Sequence, residues 1–104
     1  MSEIVYKILP RAAWTAAVAA GVYHGSADDQ RDGFIHLSRA SQLEGTLRKH
    51  FAGQTDLVLV SLSSEALGAA LRFEVSRGGE PFPHLYGPLA TALALEVRPV
   101  DVPA

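Results

Sequence analysis

The segment LVLVSL, at residues 57–62, constrains the fold of this chain more strongly than any other feature. It is almost continuously apolar, whereas a strand with one face in water alternates between apolar and polar residues. Such a strand has to be covered on both faces. We therefore expect it to lie in the middle of a sheet that other elements cover on each side.

Segments on either side supply the elements that such a sheet requires. Residues 4–9 are β-branched and aromatic and end before Pro10, which is typical of a strand. The alanine-rich segment after Pro10 ends at Gly21, which predicts a helix with a glycine C-cap. A second helix is predicted over residues 41–51, because apolar residues recur there at every fourth position: Leu43, Leu47 and Phe51.

The remaining strands and loops follow from alternation and from turn-forming residues. Residues 72–76 and the segment LALEVRPV near the C-terminus alternate between polar and apolar, which predicts two half-exposed strands. Ser63 or Ser64 can cap a short helix that extends to Leu71. Turn-forming residues predict a surface loop at 23–33 and a loop at 76–89, which contains three prolines and three glycines.

These helices and strands predict an α+β fold with a mixed or antiparallel sheet flanked by helices, and the length favours one compact domain over residues 1–104. A chain of 104 residues, of which 48% are hydrophobic, can bury a core without disulfides or a structural metal. The absence of cysteine excludes disulfides, thiolate zinc sites and a cysteine nucleophile.

Charge and hydropathy narrow the range of partners. The net charge of −2, with both signs interspersed, provides no basic stripe that would bind bulk nucleic acid. No apolar run is long enough to span a bilayer, and the first residues lack the pattern of a secretory signal. We therefore expect a cytoplasmic protein without a membrane partner. The oligomeric state stays open.

The segment DGFIHLS, at residues 32–38, places a histidine within a predicted strand. Side chains two residues apart in a strand share a face, so His36 and Ser38 point the same way. Ile35 and Leu37 share the opposite face, which we expect to pack on the core. His36 and Ser38 can then contact a ligand together. The alternative is that His36 is a partly buried histidine bonded to a backbone carbonyl.

Glycines near the start of the loop at 76–89 suit the binding of an anion. Gly78 and Gly79 permit backbone conformations closed to other residues, which lets main-chain amides turn toward a negative charge. Arg77 beside them can form a bidentate clamp on a phosphate or a carboxylate. This part of the loop therefore predicts binding of a small phosphorylated or anionic molecule.

Prolines restrict the conformations of the same loop, so that His84 and Tyr86 are presented in a preset arrangement. We predict that these two side chains and Arg77 converge on the strand face that carries His36 and Ser38. The alternative is a rigid structural loop in which His84 and Tyr86 satisfy backbone groups.

Other site patterns are weaker. Residues 28–35 fit the opening of a calcium-binding loop, but Arg39 stands where a bidentate glutamate is needed, and a strand follows instead of a helix. The four histidines lack the i, i+3 or i, i+4 spacing of a helical ligand pair, so we predict no metal site. Walker, GxGxxG and nucleophile-elbow motifs are absent from the sequence.

Two long motifs, DGFIHLS and FEVSRGGEPFPHLYGPL, together with KHFAG between them, resemble a family of small bacterial and plant proteins called domain of unknown function 952. The resemblance extends over nearly the whole chain, from YKIL at Tyr6 to the last predicted strand. The family name implies no activity.

A more distant resemblance concerns His36 and Ser38. A strand-borne His-x-Ser is similar to the nucleotide-contacting motif of the ADP-ribosyltransferase superfamily. The resemblance implies an ADP-ribosyltransferase-like fold, in which His36 contacts a ribose of NAD, as a substrate, and Ser38 supports this contact. It also implies an aromatic residue that stacks near the nicotinamide. Tyr86 is the first candidate for that role and Tyr23 the second.

The same superfamily commonly uses a glutamate late in the chain to stabilise a cationic transition state. Glu74 and Glu96 each lie two residues from an arginine, and a solvated ion pair is the expected role of each. Glu80 lies in the glycine-containing loop near His84 and is the preferred candidate. No glutamate of this chain matches the superfamily pattern cleanly.

Two functions follow from these residues. The first is a nucleotide-handling enzyme that resembles ADP-ribosyltransferases, with His36, Glu80 and Tyr86 taking part in the chemistry. The second is a binding module, in which the same cleft recognises a small anionic ligand or a protein partner without catalysis. A carboxylate in the cleft near His36 favours the enzyme.

Overall fold

The computed structural model describes residues 3–104 of the chain, except for the side chain of Arg77. The α-helices are α1 (Arg11–Ala20), α2 (Ala27–Asp32), α3 (Leu43–His50) and α4 (Ser64–Leu67). The strands are β1 (Ile4–Pro10), β2 (Val22–Tyr23), β3 (Ile35–His36), β4 (Ser38–Arg39), β5 (Leu57–Ser63), β6 (Leu71–Val75), β7 (Pro81–Leu85), β8 (Leu89–Ala90) and β9 (Glu96–Val100). Short 3-10 turns form at Ala40–Gln42, Gly68–Ala70, Arg77–Gly79 and Thr91–Leu93. None of the helices in this described part of the chain is long and apolar enough to cross a membrane.

The strands and helices form an α+β fold with antiparallel sheets, as predicted. The larger sheet has the strand order β4-β1-β5-β9, the second sheet has the order β3-β7-β6, and β2 pairs with β8. The LVLVSL segment forms β5, which lies between β1 and β9 and is buried at every position from Leu57 to Leu62. The prediction of a central strand covered on both faces is therefore confirmed.

Two apolar clusters cover the faces of the larger sheet. The first lies between this sheet, α1 and the second sheet, and includes Val5, Trp14, Leu37, Val60 and Leu85. The second lies between the larger sheet and α3, where Ile8 and Leu59 pack with Leu47. Leu43 and Phe51 are partly buried against the same cluster. The apolar stripe predicted on the second helix therefore faces the core.

The predicted loop at 23–33 is wrong in its centre, where α2 forms. Ser26 is the N-cap of α2, and its hydroxyl accepts a hydrogen bond from the backbone N–H of Asp29. The Asp29 carboxylate in turn accepts one from the backbone N–H of Ser26, which completes a capping box. Gly33 ends the helix in the left-handed conformation, with φ 86°. The turn-forming residues therefore belong to the two caps of a short helix.

The predicted loop at 76–89 is also wrong in its centre, because β7 forms there as the middle strand of the second sheet. A backbone hydrogen bond lies at each end of the β6–β7 pair. The N–H of Tyr86 donates to the carbonyl of Ala70 at one end, and the N–H of Ser76 donates to the carbonyl of Glu80 at the other. Bonded and non-bonded pairs alternate along an antiparallel ladder, so Pro81 and Pro83 fall at positions that make no bond to β6. The missing N–H groups of these prolines therefore cost this pair of strands nothing.

The prediction that FIHLS forms one strand is wrong, because the segment forms two short strands. β3 pairs with β7 in the second sheet, whereas β4 pairs with β1 in the larger sheet. Between them, the backbone N–H of Leu37 donates to the carbonyl of Pro83. The chain thus passes from one sheet to the other at Leu37, and both sheets position the polar side chains of this segment.

Candidate functional site

The register of the second sheet brings two histidines together on one face. His36 in β3 lies directly opposite His84 in β7, and Arg72 in β6 lies opposite His84 on the other side. Their side chains share a face, because directly paired residues in a sheet point the same way. The two imidazole centroids are 5.8 Å apart. The opposite face, with Ile35 and Leu85, packs into the first apolar cluster.

A pocket of about 200 Å³ opens beside these histidines, where β1, α2, α3 and the second sheet meet. Its lining includes Lys7, Asp29, His36, Ser38, Thr46 and His84. The aromatic side chains of Phe51 and Phe82 contribute an apolar part. A concave surface of mixed polarity with several converging titratable groups has the character of a small-molecule site.

Asp29 joins three segments around this pocket. It is only 2% exposed, and its Oδ2 accepts hydrogen bonds from the Lys7 ammonium at 2.9 Å and the backbone N–H of Ser26 at 2.9 Å. Its Oδ1 accepts from the backbone N–H of His36 at 3.1 Å and lies 2.6 Å from Nδ1 of the same residue. One carboxylate therefore connects β1, the start of α2 and β3.

Burial and these donors act in opposite directions on the pKa of Asp29. Burial alone would raise it, but the hydrogen bond with His36 and the charge of Lys7 together hold the pKa below its ordinary value of 3.8. Burial lowers the pKa of Lys7, and the negative charge of Asp29 opposes that change. Asp29 is therefore an ionised carboxylate at neutral pH.

His36 has a carboxylate at each of its ring nitrogens. Nδ1 contacts Asp29, and Nε2 lies 3.0 Å from Oδ2 of Asp32. A hydrogen bond from Arg31 lowers the pKa of Asp32, so this second carboxylate is also ionised at neutral pH. The imidazole can donate to both carboxylates only when both nitrogens carry protons. Its side chain is 40% exposed, so a ligand can reach it and compete with Asp32 for Nε2.

A different carboxylate holds His84. Its Nδ1 lies 2.8 Å from Oε1 of Glu74, and the hydroxyl of Tyr86 donates to the same oxygen at 2.7 Å. The hydrogen bonds from Tyr86 and His84 lower the pKa of Glu74, and the bond to Glu74 raises the pKa of Tyr86. The ring of Phe34 stacks on His84 with centroids 4.0 Å apart. Because Nδ1 is bonded to Glu74, Nε2 is the nitrogen that His84 can offer to a ligand.

Two hydroxyls form another part of the pocket wall. Oγ of Ser38, in β4, lies 3.0 Å from Oγ1 of Thr46, in α3. Ser38 is only 4% exposed, so its position is fixed by the larger sheet. Hydroxyl groups both donate and accept, and this pair can therefore adjust to oxygen atoms of a ligand.

Three of the predicted site residues line the pocket together: His36, Ser38 and His84. Tyr86 does not line the pocket. It lies next to His84, because both side chains form hydrogen bonds with the carboxylate of Glu74. Its ring centroid is 5.3 Å from that of Phe34.

The other predicted site residues lie elsewhere. Gly78, Gly79 and Glu80 are exposed in the connection between β6 and β7, and they are not among the described residues that line the pocket. Tyr23 is buried in the first apolar cluster, where its ring centroid lies 5.9 Å from the Lys7 ammonium. Burial, followed by the charge of Asp29, raises the pKa of its hydroxyl. The prediction that the side chain of Arg77 converges on His36 and Ser38 concerns a side chain outside the part of the chain that the structure describes.

Sequence reasoning missed three residues that organise the site: Lys7, Asp29 and Glu74. The signal for Asp29 is present as a capping box, Ser26-x-x-Asp29, which we read as a loop. The sequence predicts an ion pair of Glu74 with Arg72, whereas its carboxylate contacts His84 and Tyr86 across the sheet. Lys7 carried no signal, because a lysine within an apolar strand has no partner close in sequence.

The arrangement is suited to acid–base chemistry or to polar recognition without a metal ligand set. Among the described residues, no group of three or more histidine and carboxylate side chains is placed to hold a metal ion. The histidines are each oriented through Nδ1 by a carboxylate, which fixes the ring and the tautomer. This is how proteins position an imidazole that exchanges protons with a ligand.

Comparisons with known proteins agree with the motifs in the sequence. A crystal structure of protein CC0527 from Caulobacter crescentus matches with a TM-score of 0.93 and 48% sequence identity, over 97% of this chain and 89% of that chain. The solution NMR structure of CC0527 matches with a TM-score of 0.86 and the same 48% identity, over 97% of this chain and 87% of that one. No curated protein matches the chain significantly. The family described as "Protein of unknown function (DUF952)" matches residues 8–97, and the chain therefore belongs to this family.

Proposed function

We propose that this protein binds a small phosphorylated molecule that also carries hydroxyl groups, such as a nucleotide or a sugar phosphate, in the pocket beside His36. We further propose that His84 acts on this ligand as a general acid or base. The observation that carries the proposal is an imidazole whose Nδ1 is held by Glu74 at 2.8 Å and which lines a pocket with a second histidine.

The charges of the lining support a ligand of mixed character. Lys7 and Arg31 are cationic, but the lining also contains Asp28, Asp29 and Asp32. Histidine side chains and the hydroxyls near Ser38 can donate to phosphate oxygens, whereas a carboxylate can accept hydrogen bonds from ribose hydroxyls. A ligand with both kinds of group uses both parts of the lining.

The size of the pocket limits the ligand. Its volume of about 200 Å³ lies below the range of roughly 300–1,000 Å³ that is usual for drug-sized ligands. It suits a sugar phosphate or one half of a dinucleotide better than a complete NAD molecule. If NAD is the substrate, the described pocket accommodates only part of it.

The catalytic part of the proposal rests on the pair of His84 and Glu74. A carboxylate that accepts from Nδ1 stabilises the imidazolium formed when Nε2 takes a proton. Glu80, which the resemblance to ADP-ribosyltransferases favoured, is exposed and outside the lining, so it supports no step at His36. Glu74 also lies outside the lining, but it contacts His84, which lines the pocket, and through this contact it supports an enzyme.

A non-catalytic binding module is the second candidate, and the environment of His36 favours it. Asp29 and Asp32 occupy both ring nitrogens of His36, which makes this residue part of a polar network in the absence of a ligand. Under this alternative the pocket recognises the same ligand, and His84 only donates a hydrogen bond.

Thermal unfolding with ribose 5-phosphate, AMP, ADP-ribose and NAD at millimolar concentration tests the ligand class. We expect at least one phosphorylated compound to raise the Tm, and His36→Ala and His84→Ala to remove the shift. His24→Ala is the matched control, because His24 is an exposed histidine outside this lining. If none of the four compounds raises the Tm, the proposal is wrong.

Chromatography of the stabilising compound after incubation with the protein separates the two candidates. The enzyme predicts conversion that Glu74→Gln slows while binding persists, because the amide cannot stabilise the imidazolium of His84. Binding without conversion, in wild type and variant alike, identifies the binding module.

A further inference from the structure

β6 is an exposed edge of the second sheet, and its sequence is self-complementary. Among the described residues it has a strand partner on one side only, β7. Two of its apolar side chains are unusually exposed: Phe73 at 42% and Val75 at 74%. An unpaired edge with exposed apolar side chains is a template for pairing with another strand.

The ladder with β7 determines which backbone groups point outward. Hydrogen bonds join Ala70 to Tyr86 and Ser76 to Glu80 at the two ends of this ladder. Since bonded pairs recur at every second residue, the pairs Arg72–His84 and Glu74–Phe82 are also hydrogen-bonded. The backbone groups of Phe73 and Val75, and the carbonyl of Leu71, therefore point away from β7. The N–H of Leu71 already donates to the carbonyl of Gly68.

From this edge we infer that the protein forms a two-fold symmetric dimer, in which β6 pairs antiparallel with β6 of a second copy around Phe73. The inference goes beyond the proposed function and does not depend on it. In this register the N–H of Phe73 donates to the carbonyl of the partner's Phe73, and the N–H of Val75 donates to the carbonyl of the partner's Leu71, each in both directions. The second sheets of the two copies then form one continuous sheet.

Charge complementarity selects a second copy over another extended segment. Antiparallel pairing around Phe73 places Arg72 of one copy directly opposite Glu74 of the other, and the symmetry creates this ion pair twice. Leu71 lies opposite Val75 in the same way. The strand LRFEV thus presents to its own copy an opposite charge at each charged position and an apolar residue at each apolar position.

The other long edge strand, β9, contains a proline, whereas β6 contains none. Pro99 removes a backbone donor from β9, and prolines are a common means of blocking sheet edges. Pairing through β6 is therefore favoured over pairing through β9.

The dimer would change the site that contains His84. The partner's Arg72 would lie opposite Glu74, whose Oε1 holds both His84 and Tyr86. A second guanidinium next to Glu74 competes with His84 for the carboxylate. Dimer formation and the position of the His84 ring are therefore coupled.

Sedimentation equilibrium over micromolar to millimolar concentration tests the dimer. We expect a mass that rises from 11.1 kDa to twice that value. Phe73→Lys places two lysines opposite each other on the symmetry axis and should weaken the dimer by about tenfold or more. Val97→Lys is the matched control, because Val97 is also 42% exposed but lies on β9. A monomer at every concentration, or equal weakening by both variants, overturns the proposal.

Complementary charge variants provide a sharper test. Arg72→Glu leaves two acidic residues on β6, and Glu74→Arg leaves two basic residues, so each variant alone should be monomeric. An equal mixture should form a heterodimer, because every charged position then faces its opposite. A mixture that stays monomeric, while wild type dimerises, overturns the register.

Amide hydrogen exchange of the wild-type protein tests the same dimer without any substitution, so the result does not depend on whether a variant folds. Raising the concentration should slow exchange of Phe73 and Val75, whose N–H groups point outward. It should not change the exchange rates of the Arg72 and Glu74 amides, because their N–H groups already form hydrogen bonds to β7. Exchange at Phe73 and Val75 that does not depend on concentration contradicts the dimer.

Discussion

At the scale of single residues, Asp29 shows how a buried charge can organise a site. It is nearly fully buried and still ionised, because Lys7, His36 and the backbone of Ser26 all donate to it. Removing one charge from a buried pair leaves the other without compensation, which costs more than the pair itself contributes. Asp29 therefore has a positioning role: it fixes the imidazole of His36 and the start of α2 together.

Asp29→Asn should lower the free energy of unfolding by about 3 kcal/mol, since it leaves the Lys7 ammonium buried without a negative partner. Urea unfolding followed by the fluorescence of Trp14, the single and buried tryptophan, measures this change. Asp28→Asn is the matched control on the same helix, where the carboxylate is exposed and forms an ion pair with the exposed Arg31. Its effect should stay within about 0.5 kcal/mol. Equal effects of the two substitutions would contradict the role of Asp29.

The lowered pKa of Asp29 also predicts a pH dependence of stability. A carboxyl group whose pKa in the folded state lies below its ordinary value of 3.8 stabilises the fold fully above that value. This stabilisation is lost as the pH falls from about 4 toward the folded-state pKa. The difference in unfolding free energy between wild type and Asp29→Asn should thus be smaller at pH 2 to 3 than at pH 5. A difference that is unchanged at pH 2 to 3 would show that Asp29 has an ordinary pKa.

At the scale of elements, α2 is too short and too polar to be stable by its own propensity. It spans six residues, ADDQRD, and lacks an apolar stripe. Its stability comes from the capping box at Ser26, from Gly33 at its end and from the tertiary contacts of Asp29. The conformation of the residues just before α2 therefore decides whether the Asp29 carboxylate reaches the pocket.

Gly25→Ala should destabilise the protein clearly more than Gly21→Ala. Both glycines have positive φ, at 105° and 83°, so alanine costs about 1–2 kcal/mol at either position. At Gly25 an added Cβ would also lie 2.7 Å from Cβ of Asp29, whereas at Gly21 it would meet nothing within 4 Å. Overpacking of this kind costs a further 1–3 kcal/mol or so. Urea midpoints of the two variants measure the difference, and equal midpoints would contradict the close approach.

The elements that were predictable from the sequence are those whose own residues carry the signal. β5 is continuously apolar, the stripe of α3 recurs every fourth residue, and α1 ends at a glycine. β7 was hidden because prolines indicate loops, and only the pairing with β6 reveals that they sit at positions without bonds. Local patterns cannot supply such information, since it resides in the partner strand.

The same distinction applies to the candidate site. His36 and Ser38, which the alternation within FIHLS places on one face, both line the pocket, although they belong to two strands in different sheets. The partners of the histidines could not be predicted, because Asp29 and Glu74 reach them through a helix cap and a diagonal contact across the sheet. The register that aligns His36 with His84 is set by long-range pairing.

At the scale of the whole molecule, the fold consists of two sheets that share one apolar core, with the pocket beside the place where the chain passes between them. β5 has strands on both sides and apolar clusters on both faces. The pair of β2 and β8 contains only two residues on each strand. We therefore expect β5 to resist local opening more strongly than the pair of β2 and β8.

Native-state hydrogen exchange should therefore show the slowest amides in β5, near Leu59 and Val60, with opening free energies close to that of global unfolding. The amides of β2 and β8 should exchange by smaller openings, because that pair contains only two residues on each strand. Amides in β2 or β8 that exchange as slowly as those of β5 would show that the molecule opens as a single unit.

The passage between the sheets at Leu37 also limits how the length of this segment can vary. β3 is held by β7 and β4 is held by β1, with one residue between them. Inserting or deleting a residue there would turn either His36 or Ser38 to the opposite face, because side-chain direction reverses at each position of a strand. Gaps should therefore be tolerated in the connection at residues 76–80 but not within residues 34–39, so alignments of relatives can be anchored on FIHLS.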